Sequence, residues 1–421
     1  MTGPLGHPRF RILLAGRAVS MLGNAIAPVA IAFAVLDLTE SAAALGIVLA
    51  ARSIPQVLFM LAGGVIADRF DRARVLVIAN VVAGVAQGAA AALLLTGTAS
   101  VPALAVLEAV NGTASAIVFP AAAALTPVTV PSTILQEANA LLRLGLNTAM
   151  IVGAASGGIL VGTIGSGWGL AVDAMAFVLA AAFFSRLRIG SAASVPRPGG
   201  SLPASTGGVG AVLADVRDGW REVSSRSWLW AVVIAFGFAN AAQAAGWTTL
   251  GPVVAAGSFG PEGWGLVLAG QTAGMLAGGV LMLRVRPIRP LFVGCAAVLL
   301  LAPMLVVLAL RPTVAALLPA AFAAGVGIEV FSVGWDLSLQ QQVPQARLSR
   351  VYSFDALGSY AMIPLGQLVA GPLALALGTQ DAIVACATVI AIAIGTTLAV
   401  PSVRHLRRTD LPAEKAAAAT T

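Results

Sequence analysis

The stretch GGVIADRFDRARVLV, residues 63–77, decides the fold. Across Asp68 to Arg74, five of seven residues are charged: Asp68, Arg69, Asp71, Arg72 and Arg74. On both sides the chain returns to Ala, Val, Leu, Ile and Gly. The whole sequence is 59% hydrophobic and 10% charged, whereas soluble globular domains carry about 25% charge. Apolar runs of about 20 residues recur from end to end, each long enough to cross a hydrocarbon layer of about 30 Å. A dense charged run between two of them therefore reads as a tight loop at the membrane surface.

Working outward from that loop gives twelve predicted spans: 11–37, 43–67, 74–96, 101–125, 134–164, 167–185, 228–256, 263–283, 290–310, 313–337, 347–377 and 380–401. The first runs into a full span and lacks the short apolar core of a cleavable signal. Arginines fall in alternate connections, on the same side as residues 69–74, 186–226, 284–289, 347–350 and 404–415. The other side holds only Arg311, beside Asp37, Glu40, Glu262 and Asp381. The positive-inside rule predicts that both termini are cytoplasmic. The turn at 126–133 falls on that side without an arginine.

The composition also excludes chemistries. His7 and His405, the two histidines, lie outside the spans at opposite ends, and Lys415 is the one lysine. Cys295 and Cys386 sit in apolar runs, against a structural disulfide. No intramembrane Ser–His or Ser–Lys pair, histidine zinc site or G-x-x-x-x-G-K-[ST] nucleotide loop can be built, and no metal is expected. The +7 net charge reports topology and not nucleic-acid binding.

The chain repeats internally. At an offset of 213 (344 − 131), Val130, Pro131, Leu135, Leu144, Gly145, Gly153, Gly158, Leu160 and Gly165 fall on Val343, Pro344, Leu348, Leu357, Gly358, Gly366, Gly371, Leu373 and Gly378. At 215, Gly63 and Gly64 fall on Gly278 and Gly279. The expected organisation is a six-helix half over 1–185, a linker over 186–227, a second half over 228–403 and a tail over 404–421. The linker opens Gly-, Pro- and Ser-rich. From Val209 to Val223 it shows apolar residues at helical spacing, as an amphipathic surface helix or an extension of the seventh span would.

Two six-span halves with a central linker resemble the major facilitator superfamily, an all-α membrane fold. The motif G-x-x-x-D-R-x-G-R-[RK] of that family is matched by Gly64, Asp68, Arg69 and Arg72. Asp71 and Ala73 depart from it, and Arg74 follows one place on. The ADRFDR form, LDLTES after span 1 and QEANALL entering span 5 resemble the drug:proton antiporter branch with macrolide-efflux-type exporters. The resemblance implies that Asp68 latches the halves on the cytoplasmic side in an outward-open state, against span 11, whose start reads QARLSRVYSFD (345–355). Asp336 and Arg350 form a second candidate pair at this gate, where Arg69, Arg72 and Arg74 also meet anionic headgroups.

Charges within spans are costly and hence functional candidates. Glu329, in GVGIEVFSVGWD on span 10, is the first candidate proton carrier, with Arg143 as its partner in a static alternative. Glu108, Asp37 and Asp355 are the other candidate acids. Asp355 aligns within one position of Arg143 under the repeat, so the two could face each other. Where the family has R-x-x-Q-G on span 4, this chain has EAVNG: Glu108 either takes over coupling or pairs with Arg52. The antiporter motif G-P-x-x-G-G becomes GAASGG, with Gly153, Gly157 and Gly158 kept and Ala154 in place of Pro. Asp173 is expected to be structural. Asn24, Asn240, Gln243, Trp247 and Phe331 are candidate cavity residues, a sparse polar set suited to a bulky amphipathic substrate.

These readings predict a secondary transporter, not an enzyme: a proton-coupled exporter of hydrophobic or amphipathic molecules, monomeric, with no cofactor beyond the proton gradient. Its partners would be lipid, protons and substrate. The alternatives are uptake of a small metabolite by symport or facilitation, and a non-transporting sensor or scaffold. The preference for Arg over Lys and the richness in Ala suggest a GC-rich bacterial genome.

Overall fold

The computed structural model describes residues 3–69, 71–123, 125–187 and 224–408, without the side chains of 60–69, 119, 120, 123, 132, 345–347, 349, 350 and 353. The expected amphipathic segment at 209–223, the end of the tail, the surroundings of Gly64 and the side chains of Asp68, Arg69 and Arg350 lie outside the described residues.

Twelve helices are long and apolar enough to span a membrane. They are α1 (Pro8–Thr39), α2 (Ala42–Arg69), α3 (Arg72–Leu95), α4 (Val101–Ala123), α5 (Leu135–Ile164) and α6 (Ser166–Ser185) in the first half. The second half holds α7 (Ser227–Ala256), α8 (Gly260–Arg284), α9 (Pro290–Leu310), α10 (Val314–Gln342), α11 (Gln345–Leu377) and α12 (Thr379–Ala399). They match the predicted spans to within a few residues at most ends. The face at which α6 ends and α7 begins is the linker face.

Three helices are interrupted where the sequence suggests continuity, each close to a proline that offers no N–H to the ladder. Helix α11 breaks after Tyr360 and restarts at Ile363, with Pro364 in its new first turn. Helix α9 breaks between Val298 and Leu301, with Pro303 following. In α7 the residues Ala244–Thr249 form a π-helical turn ahead of Pro252, and Thr249 Oγ1 donates to the Ala244 carbonyl at 3.0 Å.

The repeat seen in the sequence is a repeat of contacts. Gly153 abuts the Leu22 carbonyl of α1, and its counterpart Gly366 abuts the Ala241 carbonyl of α7. Gly145 faces Leu14 of α1, and Gly358 faces Val233 of α7. Gly158 packs on Pro261 and Gly265 of α8, whereas Gly371 packs on Ala43 of α2. Gly165 (φ +98°) and Gly378 (φ +84°) make the same left-handed turn into α6 and α12, a conformation that only glycine adopts freely.

Two seams join the halves. Helix α5 lies on α8, and α2 lies on α11. In the membrane such seams rest on close van der Waals approach, which small residues permit. A methyl group added at Gly265 would sit 2.5 Å from the Ala154 carbonyl, and one at Gly158 would sit 2.9 Å from Gly265 Cα. In the other seam, Gly46 of α2 meets the Gln367 carbonyl of α11, and Ser53 Oγ donates to Gln367 Oε1. All these residues sit in the halves of their helices remote from the linker face. The terminal segment of α7, Leu250–Ala256, adds a contact with α1. The molecule is thus closed on the face opposite the linker.

Candidate functional site: ionisable groups inside the bundle

The charged loop of residues 68–74 has a local explanation for one of its departures. Asp71 is the N-cap of α3, and its carboxylate accepts from the Arg74 N–H at 2.8 Å. A short acid at an N-cap satisfies one of the orphan donors of the first turn. The signal was legible as an acid just ahead of an apolar helical run. Helix α2 ends at Arg69 and touches the first segment of α11.

The first half carries a buried ion-pair network. Glu108 and Gly112 lie one turn apart on α4, hence on one face. Gly112 has no side chain and lies against the Arg52 backbone of α2, which brings the two helices together where Glu108 can reach the guanidinium. Arg52 Nη1 lies 3.3 Å from Glu108 Oε2. Its Nη2 donates to Asn24 Oδ1 of α1 at 3.1 Å, and Gln87 Nε2 of α3 donates to Glu108 Oε1 at 3.1 Å. Glu108 is 2% exposed and the Arg52 side chain 20%. The pair is therefore a desolvated carboxylate held by a cation that still reaches solvent. Sequence reasoning missed Gln87 and Asn80, both buried on α3; seven residues apart in an apolar span, they repeat every two turns and mark one inward face. Asn80 accepts from Ser20 Oγ at 3.4 Å.

The second half holds its acid differently. Asp355, on the first segment of α11, accepts from Trp335 Nε1 at 2.9 Å and from Ser359 Oγ at 3.1 Å. Both donors are neutral. Trp335 is fixed in turn by an edge contact with Trp228, ring centroids 5.8 Å apart, and by Phe331, 6.0 Å away. Phe331 itself stacks on Phe236 at 3.9 Å, so this candidate cavity residue is part of an aromatic wall between α7 and α10. Asn240 donates to the Ser359 carbonyl at 2.9 Å, tying α7 to α11. Gln243 immediately precedes the π turn. Trp247, in that turn, is 4% exposed. It packs on Trp264 of α8 at 4.7 Å, and its Nε1 has no partner among the described residues.

Glu329 is half-buried on α10 with its stem on the paired glycines of α8: a methyl at Gly278 would meet its Cβ at 3.0 Å, and one at Gly279 its Oε1 at 3.7 Å. Arg143 and Asp336 are the charges that act on it. Among the described residues Arg143 makes no ion pair within 4 Å with Glu329 or with Asp355, so the structure brings neither expected pair together. Arg143 is exposed instead. Asp336 accepts from the Tyr352 hydroxyl at 3.0 Å. Asp37 is exposed at the closed face, with Ser166 Oγ 3.5 Å from its Oδ2. Of the GAASGG motif, Gly153 and Gly157 face α1 and Gly158 faces α8. No group of three or more His, Cys, Asp or Glu suited to a metal occurs among the described residues.

Comparison with known proteins agrees with this architecture. The chain is similar to the multidrug efflux pump Tap of Mycobacterium tuberculosis, at 27% identity over 420 residues, 95% of this chain and 94% of that one. It is also similar to the enterobactin exporter EntS of Escherichia coli, at 25% over 192 residues, 46% of this chain and 45% of that one. Among solved structures it is similar to a bacterial homologue of the human lysosomal transporter Spinster in an inward-facing, unoccupied conformation, with a TM-score of 0.71 and 15% identity, covering 96% of this chain and 99% of that one. The family model of the Major Facilitator Superfamily matches residues 13–367. With twelve spans in two repeated halves, the chain belongs to the Major Facilitator Superfamily and is a multi-pass membrane transporter.

Proposed function

We propose that the protein exports hydrophobic or amphipathic small molecules, drugs among them, in exchange for protons, by alternating access. The observation that carries the export reading is the end-to-end similarity to a multidrug efflux pump. In this reading the linker face is cytoplasmic, as are both termini, and the protein works as a monomer in the cytoplasmic membrane of a bacterium. The face closed in this structure is then the outer one. The coupling acids are Glu329 and Asp355. Neither is tied to a cation among the described residues, so either can change charge without stranding one. Residues Asp68, Arg69, Arg72, Arg74, Asp336 and Arg350 form the cytoplasmic gate that closes in the opposite state. Import of a polar metabolite is the second reading; the Arg52–Glu108 pair favours it, since paired charges suit a polar substrate.

Proton movement in proteoliposomes, driven by a panel of lipophilic cations and macrolides, tests both. Substrate-driven proton exchange that Glu329→Gln abolishes supports export with the carrier on α10. Exchange that persists in Glu329→Gln but not in Asp355→Asn moves the carrier to α11. Absence of flux with every compound defeats the export reading.

A further inference from the structure

Asp173 of α6 stands apart from the other acids among the described residues. It is 0% exposed, and neither Oδ1 nor Oδ2 has a hydrogen-bond partner among the described residues. It lies about 10 Å along the helix from Ser166, at 1.5 Å per residue, well inside the bundle. Its carboxyl is pressed on α1, where a methyl at Gly23 would meet Oδ1 at 2.5 Å and the backbone of Asp173 at 3.2 Å. The next residue of α1, Asn24, is the one that holds Arg52. The carboxyl is thus one residue removed from the Arg52–Glu108 network, and those two groups are the charges that act on it.

A structural carboxylate of this depth is normally surrounded by donors, because an ionised group buried without them costs several kcal/mol. The other charged groups on the helices packed against α6 do not supply one. Helix α1 carries Arg9 and Arg11 in its first turn, Arg17 two turns on and Asp37 near its far end, α3 carries Arg72 and Arg74 in its first turn, and α5 carries Glu137 and Arg143 toward the linker face. A neutral acid resolves the problem. With Arg52 at +1, Glu108 at −1 and a protonated Asp173 at zero, the buried set carries no net charge.

We propose that Asp173 is a proton-binding site of the first half, occupied in this closed-face form and coupled to the Arg52–Glu108 pair. The site does not depend on what is exported, and its test uses no substrate. Infrared spectra of the full-length protein in lipid, with and without aspartate carrying carbon-13 at the side-chain carboxyl, should show a protonated-carboxyl band at neutral pH. The band should shift with the label, exchange slowly in heavy water and vanish in Asp173→Asn. In Glu108→Gln, loss of the neighbouring negative charge should lower the proton affinity of the site about tenfold, the equivalent of ~1.4 kcal/mol. If Asp173→Asn fails to accumulate, Asp173→Glu serves, because its band no longer responds to labelled aspartate. A spectrum identical in wild type and Asp173→Asn overturns the site. A band whose titration is unmoved in Glu108→Gln overturns the coupling.

Discussion

The two halves share a scaffold down to individual glycines, yet Glu108 in one and Asp355 in the other are secured by opposite means. In the first half Glu108 is held by a guanidinium and an amide. In the second, Asp355 is held by an indole and a hydroxyl. The scaffold follows from close packing, which small residues at fixed spacing enforce twice over. The charges follow no such repeat. A buried carboxylate locked to a cation is an element of construction, because neutralising it leaves the cation without its partner. A carboxyl held by neutral donors can gain or lose a proton while its neighbours stay as they are. These two sites therefore divide labour: the Arg52–Glu108 pair braces α2 against α4, whereas Asp355 is held so that its charge can change near α10 and α11.

The largest expected effect tests that division directly. Glu108→Ala takes the carboxylate from Arg52 and the acceptor from Gln87 and should destabilise the protein by about 3 kcal/mol, the low end for a broken buried pair because Arg52 still reaches solvent, measured as a fall in thermal midpoint in detergent or lipid. Asp355→Ala leaves only neutral donors unsatisfied and should cost about 1–3 kcal/mol. Equal losses would break the comparison. Replacing Arg52 and Glu108 together by Met should recover much of the first loss, since an apolar pair of similar volume carries no desolvation penalty.

Next comes the seam between halves. Gly158→Val forces a side chain into the α5–α8 contact, at about 1–3 kcal/mol if the closed face persists. If the halves separate instead, spin labels on the closed face will report a longer distance, and transport will fall while stability holds. The equivalent change in the other seam, Gly371→Val, meets Ala43 and should act the same way. A seam that tolerates it would show that the repeat of contacts is not a repeat of energies. Smaller again, Asp71→Ala removes the α3 cap at about 1 kcal/mol, whereas Asp71→Asn retains it. Ser53→Ala deletes one hydrogen bond between halves, about 0.5–1.5 kcal/mol, and should shift the population toward the form open at the opposite face.

Much of this was legible in the sequence, for a physical reason. Twelve spans follow from the length an apolar helix needs to cross lipid, and the glycines at 153, 158 and 165 matched to 366, 371 and 378 foretold contacts that have since found their partners. The individual charges were harder. Arg52 was named as one possible partner of Glu108, but nothing along one helix announces Asn24 or Gln87, which join the pair only through three-dimensional packing. Arg143 looked matched to two acids by depth, but depth along the membrane normal says nothing about azimuth around each helix. Asp71 read as a departure from a motif and is a helix cap. Phe331 reads as a cavity candidate, and its stack on Phe236 is a contact that spacing along one helix does not announce. The breaks in α7, α9 and α11 were signposted by Pro252, Pro303 and Pro364, but membrane helices carry other prolines without interruption, Pro28 and Pro319 among them.

The π turn at Ala244–Thr249 has a genetic consequence. A π turn is one residue too many for an α-helix, so α7 contains a built-in insertion. Deleting a single residue there would leave an uninterrupted helix, and everything beyond Thr249 would rotate by about 100°, the angle of one residue at 3.6 per turn. Gly251 would then turn away from Trp264, and Leu250–Ala256 would offer α1 a different face. Of the twelve spans, α7 is thus the one whose reading frame of contacts a codon-sized deletion could reset without unwinding the helix.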